Sequence, residues 1–438
     1  MQRTVLRNAN LLDGNHPARP GTSVVIEGSS IREIVEDAAL KSEAEDRVVD
    51  LAGRTLMPGL WSSHFHTIFS DWAPAQAPML GLDAQPGFMA LVAQNNVKRA
   101  LDSGFTSLIC SSSAYNIDHA LKVAIHRGLI PGPRLFACTR ELMTPGDQPD
   151  GSNSSWYMEI GNHGIVRRCS GPEGFRHAVR EELGRGADIA KVSASAGHGA
   201  GPADEIESLN FEELRAAADA AHGRGKKVRA HTASKRSILD CARAGVDIID
   251  HADRLDEEGI EAILAADLSL APTLLFPTRF LGFLQGLLDQ GIDIGAQGPD
   301  VASREEFQAR IDGGRADFEN MCAMLPEANR AGLRLLVGDD YGVTSIPHGD
   351  YSAEFELYVD KLGIPALDVI RWATRNGAET MNVYAETGSV EVGKLADLIV
   401  IDGDPTRNIS LLGNPEATVA ILQKGIFYKD VLSPEASA

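Results

Sequence analysis

Met57-Pro58-Gly59-Leu60-Trp61-Ser62-Ser63-His64-Phe65-His66 is the stretch on which the fold turns. It is an apolar, β-like run that ends in two histidines one residue apart. Side chains alternate across a strand, so His64 and His66 share a face. By itself the pair says little, because the chain has 12 histidines. It gains weight from the residues that come after it in fixed order: Lys191, His231, His251 and an aspartate at 339 or 340. Each closes a short β-like run, and a helix-like stretch usually comes next.

Around that set, the middle of the chain alternates β with α. Candidate strands lie at 57–66, 105–112, 134–140, 188–195, 227–233, 247–252, 269–275 and 334–340. Residues 86–103 and 116–128 carry apolar positions at helical spacing. Asn210-Phe-Glu-Glu213 and Ser303-Arg-Glu-Glu306 have the form of helix starts with an acid at the third position. Pro172 stands where a first helical turn tolerates proline. Eight such units predict a (β/α)8 TIM barrel, in which strand C-terminal ends line the active site; a doubly wound sheet fits the same periodicity. The 276–303 segment fits no simple unit and reads as an insertion.

Both ends of the chain have a different pattern. Strands are expected over 3–12, 22–35 and 47–51, broken at Asp13-Gly14 and Gly28-Ser29, and again over 398–401, 417–422 and 426–428. The simplest packing is a small β-sandwich built from both termini. Its parts would be residues 1–57 and 381–438, flanking a barrel over 58–380.

The 438 residues are 43% hydrophobic, enough for a large α/β core, and the formal net charge is −20. That charge, with no run of Lys or Arg, argues against nucleic acid or an anionic membrane as partner. The five cysteines include no CxxC pair, so reduced thiols and a cytoplasmic location are expected. No apolar stretch approaches the roughly 20 residues of a membrane helix.

A lysine in the apolar run Gly186-Ala-Asp-Ile-Ala-Lys191-Val-Ser-Ala-Ser195 is costly if charged and alone. Either it is structural, in a buried ion pair or snorkelling to the surface, or its neutral amine has taken up CO2 to give a carbamate able to bridge two cations. His231 ends Lys227-Val-Arg-Ala-His231, and His251 ends Val246-Asp-Ile-Ile-Asp-His251. One such histidine reads as a hydrogen-bonded core residue. Two on successive strands, after the paired histidines and a lysine, read as metal ligands. Alternation lets only one of Asp339 and Asp340 face them.

These motifs, with Ala271-Pro-Thr273 and Gly393-Lys394-Leu-Ala-Asp397, resemble the amidohydrolase superfamily, in particular its binuclear imidazolonepropionase/prolidase-like branch. The resemblance spans nearly the whole chain. It implies a hydrolase with two divalent metal ions, zinc by default. His64 and His66 would bind the more buried ion and His231 and His251 the second, with carboxylated Lys191 bridging. Asp340 matches the catalytic, metal-binding aspartate, and Asp339 is the reserve. A hydroxide held between the ions would attack an amide, urea or carbamate carbonyl, and Asp340 would pass the proton to the leaving nitrogen. His231-Thr-Ala-Ser234 and Thr144-Pro-Gly-Asp-Gln-Pro-Asp-Gly151 depart from the branch's loop patterns. The substrate is therefore left open among peptide-like, N-acyl amino acid, arylamide and phenylurea compounds.

Outside the ligand set, His198 and His348 are candidate substrate contacts, His198 also catalytically, with Tyr157, Tyr115 and His163 weaker. Phe276 heads a run with Phe280, Phe283, Leu284 and Leu287 at helical spacing, which reads as core, as a subunit interface or as a lid over an apolar or aromatic substrate group. A small-molecule substrate and a homo-oligomer are expected. Two other readings use the same fold: a mononuclear deaminase, disfavoured by Lys191 and by the absence of a glutamate after His231, and a non-enzymatic scaffold, disfavoured because every ligand position is filled.

Overall fold

A computed structural model describes residues 3–70, 85–146, 164–198, 208–291, 303–343 and 345–432. Five strands come first: β1 (Arg3–Leu11), β2 (Arg19–Glu27), β3 (Ser30–Glu36), β4 (Arg47–Asp50) and β5 (Thr55–Pro58). They join three from the other end of the chain, β16 (Leu398–Ile401), β17 (Thr418–Gln423) and β18 (Ile426–Asp430). In place of two separate layers, all eight hydrogen-bond as one sheet in the order β18-β17-β16-β5-β1-β2-β3, with β4 on β1. The reason lies in β1. Its first half pairs with β4 and its last two residues with β5, and the ladder to β2 shifts register between Leu6 and Ala9.

At its centre, in β5 and β16, this sheet is buried on both faces. Leu398 and Val400 enter an aliphatic core with Leu6, Leu11, Leu56 and Leu422. Ile399 and Ile401, on the opposite face by alternation, enter the larger core of the rest of the molecule. The run Leu-Ile-Val-Ile is thus apolar at every position because neither face meets water.

Ten parallel strands occupy the middle. β6 (Leu60–Phe65), β7 (Phe105–Cys110) and β8 (Arg134–Phe136) form one sheet. A second runs β10 (Val166–Arg168), β9 (Cys138–Met143), β11 (Ile189–Ser193), β12 (Lys227–Thr232), β13 (Ile248–His251), β14 (Ser269–Ala271), β15 (Arg334–Leu335). Only Ala137 separates β8 from β9. At the other edge the chain just past β15 returns to β6, where Ser63 N–H donates to Val337 O at 2.6 Å.

Several elements differ from expectation. The run 57–66 is two strands in two different sheets, divided at Gly59, where a Cβ would collide with Thr106. The run 134–140 likewise divides at Ala137 and extends to Met143. The strand at 269–275 stops at Ala271, and 334–340 is laddered only at Arg334–Leu335, so Asp339 and Asp340 stand on irregular chain.

Helices α1 (Pro86–Asp102), α2 (Ile117–His126), α3 (Gly171–Gly184), α4 (Phe211–His222), α5 (Lys235–Ala244), α6 (Glu257–Ala265), α7 (Leu275–Asp289) and α8 (Arg304–Ala331) lie between or after the strands. Asn210 and Ser303 each accept from the backbone three residues on, and Glu213 and Glu306 reach back to close capping boxes. The start of the 276–303 segment is helix α7. Its Phe276, Phe280, Leu284 and Leu288 are buried; residues 292–302 lie outside the described residues. Among the described residues no helix is long and apolar enough to cross a membrane.

Candidate metal centre

Each ligand candidate in the described residues stands within a parallel strand or beyond its C-terminal end. His64 is in β6 and His66 just past it. Lys191 is in β11, His231 in β12 and His251 closes β13. Asp340 follows β15.

The tightest convergence joins three of them. His64 Nε2 and His66 Nε2 are 3.2 Å apart. Asp340 Oδ1 lies 2.9 Å from the first and 3.0 Å from the second. Three electron-rich atoms at this spacing need a proton or a cation among them, and nitrogen and carboxylate donors suit a divalent transition ion. Burial holds the His66 imidazole down at about 4, outweighing the pull of Asp340. Burial pushes the Asp340 carboxyl up, but the charge and hydrogen bonds of His64 and His66 keep it well below the usual carboxylate range. The donor set at neutral pH is therefore a neutral His66 and an ionised Asp340. His66 is braced from behind: its ring stacks on Phe69 at 4.0 Å, and Nδ1 lies 3.2 Å from Ser112 Oγ.

A second group gathers His198, His251 and Asp340, with ligand-type atoms all within 4.8 Å of one another. The His198 and His251 rings stack at 3.7 Å, and His231 faces His251 at 4.4 Å. Burial, then the neighbouring imidazoles, lowers His251 well below its ordinary value. Burial and Lys191 lower His231, although the residue as a whole is only half-buried. Thr273 Oγ1 is 2.6 Å from His251 Nδ1, which leaves Nε2 facing the cluster. His198 (φ 58°), His251 (φ 79°) and Thr273 (φ 52°) all hold left-handed backbone. Such strain persists only where the surroundings over-determine it, and it clusters at functional sites.

Lys191 meets a buried carboxylate. Its amine donates to Asp250 Oδ2 at 2.6 Å, and both side chains are buried. Asp250 also takes two hydrogen bonds from Arg229, which is 0% exposed. Asp250 Oδ1 lies 3.2 Å from His64 Nδ1. Burial pushes the Asp250 carboxyl up, yet Arg229 and Lys191 hold it well below the usual range. Arg229 and Asp250 were not singled out in the sequence. The signal was present for Arg229, which stands two residues before His231 and so on the same strand face.

The adjacent aspartates part company. Asp339 turns from the histidines and accepts from Leu275 N (2.8 Å) and Phe276 N (3.2 Å), tying down the first turn of α7. Burial, then Glu354 and Asp340, pushes its carboxyl up. Gly338, at φ 145°, makes the turn between strand and aspartates, and a Cβ there would collide with the His64 backbone.

The remaining candidates are dispersed. His348 is buried, 3.1 Å from the His66 carbonyl and 3.3 Å from Tyr351 OH. Phe276 lies 5.7 Å from His198 and stacks on Phe280 at 4.7 Å. Tyr115 borders a cavity of about 410 Å³ with Ser113, Thr139 and Arg140, whose lining includes none of the histidines. Tyr157 and His163 lie outside the described residues.

Residues 55–426 match the family model described as Amidohydrolase family. The chain belongs to that family. An ochratoxinase from Aspergillus niger is 25% identical over 398 residues, covering 85% of this chain and 75% of its own. A crystal structure of an amidohydrolase superposes with a TM-score of 0.79 at 27% identity, covering 99% of this chain and 100% of its own. A Xaa-Pro dipeptidase crystallised with methionine in its active site gives 0.81 at 25% identity, with 98% and 100% covered. This amidohydrolase is thus a hydrolase acting on carbon–nitrogen bonds, and its described residues hold two groups of side chains able to take a metal ion.

Proposed function

We propose that this amidohydrolase uses two divalent cations, zinc by default, to hydrolyse an amide, urea or carbamate bond in a small molecule. The observation that carries the reading is the meeting of His64, His66 and Asp340 around one point at 2.9–3.2 Å. In this reading residues 58–380 are a (β/α)8 barrel, closed where Ser63 meets Val337, and residues 1–57 and 381–438 are a sheet domain at its side. His64 and His66 hold the more buried cation, and His231 and His251 hold the other. Lys191, its neutral amine having taken up CO2 to give a carbamate, would be the residue able to hold both.

The bound cations supply an activated water and polarise the scissile carbonyl. Asp340 takes the proton from that water and delivers it to the leaving nitrogen. Its surroundings suit that role. His64 and His66 hold the carboxyl ionised, and its side chain keeps 17% exposure, an open side through which the proton can move. Asp250 and Arg229 keep the His64 ring oriented from below, as carboxylates behind ligating histidines commonly do. Phe276, held in place by Asp339, offers an aromatic wall beside the site. It favours substrates with an aromatic or apolar part, in keeping with the likeness to ochratoxinase and to a Xaa-Pro dipeptidase.

The test is a hydrolysis screen of N-acyl amino acids, prolyl dipeptides, anilides, phenylureas and carbamates, with products identified by mass and metal quantified in the same samples. Two metal equivalents per chain and release of an amine are expected. One equivalent with release of ammonia from a nitrogen heterocycle would instead identify a deaminase.

A further inference from the structure

Asp253 stands two residues past His251, on the segment that leaves β13. Its carboxylate takes both hydrogen-bonding groups that His198 offers on one side. The His198 backbone N–H donates to Oδ2 at 2.8 Å, and ring Nδ1 lies 2.8 Å from Oδ1. Both residues are buried, His198 at 2% exposure and Asp253 at 5%. The second ring nitrogen lies beside Thr273, and His198 contributes a ring nitrogen to the group with His251 and Asp340 whose ligand atoms share a 4.8 Å span. A carboxylate on one ring nitrogen, with the other pointing at neighbouring donors, is the arrangement that fixes the tautomer and orientation of a metal-ligating histidine.

The left-handed backbone of His198 agrees with this. A residue without glycine's freedom is kept at φ 58° by a two-point hold from Asp253 and by a ring stacked on His251. Among the described residues, His198 Nε2 meets Thr273 Oγ1, at 2.9 Å. That hydroxyl also meets His251 Nδ1 at 2.6 Å and donates to the Pro272 carbonyl at 2.8 Å. It therefore remains hydrogen-bonded on both counts when Nε2 turns to a cation. His231, by comparison, has no hydrogen bond from its ring to an orienting carboxylate among the described residues and is absent from both donor groups.

We propose that His198, oriented by Asp253, is a ligand of the second cation together with His251 and Asp340. Its motif had pointed instead to a contact with substrate. The inference rests on the two-cation reading above and adds to it a protein ligand from the loop after β11.

The experiment uses the full-length protein, stripped of metal and reloaded with Zn²⁺ or Co²⁺. Stoichiometry is read by elemental analysis, affinity by competition with a chelator, and ligand geometry by the visible absorption of Co²⁺. For His198→Asn, the first equivalent should bind as in the parent protein. The second should weaken by at least tenfold, with a changed Co²⁺ spectrum. Two equivalents of unchanged affinity and spectrum would overturn the assignment while leaving the two-cation reading intact. A parent protein that takes up no stoichiometric metal would sink both. If His198→Asn fails to fold, Asp253→Asn decides: weakening of the second ion by roughly 10–100-fold supports the ligand role, and an unchanged affinity refutes it.

Discussion

Leu6, Leu11, Leu56, Leu398 and Leu422 fill the inside of the terminal sheet with side chains that need no hydrogen-bonding partner. The parallel strands bury Arg229, Asp250, Lys191, His64 and His251 at comparable depth. The first interior is stabilised by removing apolar surface from water, at about 25 cal/mol per Å². The second must offset the desolvation of several charges, and a buried ion pair often does no better than break even against apolar side chains of the same volume. A fold that needed only stability would have filled both interiors alike. The contrast fits the proposed site: the buried charges lie beside its candidate ligands, two of which, His198 and His251, hold left-handed backbone.

The contrast is tested most severely at Asp340. Asp340→Asn should lower kcat by about 10²–10⁴-fold while metal content, followed in parallel, stays near that of the parent. Asp339→Asn should affect turnover far less, and a reversal of the two would assign the proton transfer to the wrong aspartate. Lys191→Ala should lose most of the metal together with activity, since bridging and charge balance go at once; an active variant with both ions in place would rule the bridge out. Arg229→Met leaves Asp250 with one cation fewer in a dry interior and should cost about 3–5 kcal/mol in denaturant unfolding.

In the aliphatic interior, Leu398→Ala should cost about 2–5 kcal/mol through the cavity it opens, with the metal stoichiometry of the folded fraction unchanged. Loss of metal there would mean that the two interiors are not independent. The smallest effect is one of pH. Burial depresses His66 from 6.5 to about 4 and His348 from 6.5 to about 3. The unfolded chain therefore binds more protons than the folded one below about pH 6.5, and stability falls as pH drops from there through the folded values. The Tm of metal-free protein should decline between pH 6.5 and 4. The decline should be shallower in His348→Gln, because one depressed group is gone.

The ligand order was readable because a strand places every second side chain on one face, and because each candidate closes an apolar run with turn signals behind it. The capping boxes at Asn210 and Ser303 were readable for a similarly local reason. Strand ends were not. Gly59 looks like the middle of one apolar run but is the point where the chain passes from one sheet to the other, a fact set by contact with Thr106. Asp253 carried no periodic signal, since its role depends on a loop more than fifty residues earlier.

An amidohydrolase-like order of histidines, lysine and aspartate on alternating β and α segments, with all-β ends, was legible before any folding was considered, because those features follow from spacing along a single strand or helix. The packed chain alone settled which of two adjacent aspartates meets the histidines, that Lys191 is held by Asp250, and that His198 is held by Asp253. Each of these is a contact between strands or loops far apart in the chain. Their geometry is fixed by how the strands pack side by side and by backbone turns at Gly338 and His251 that no local pattern specifies.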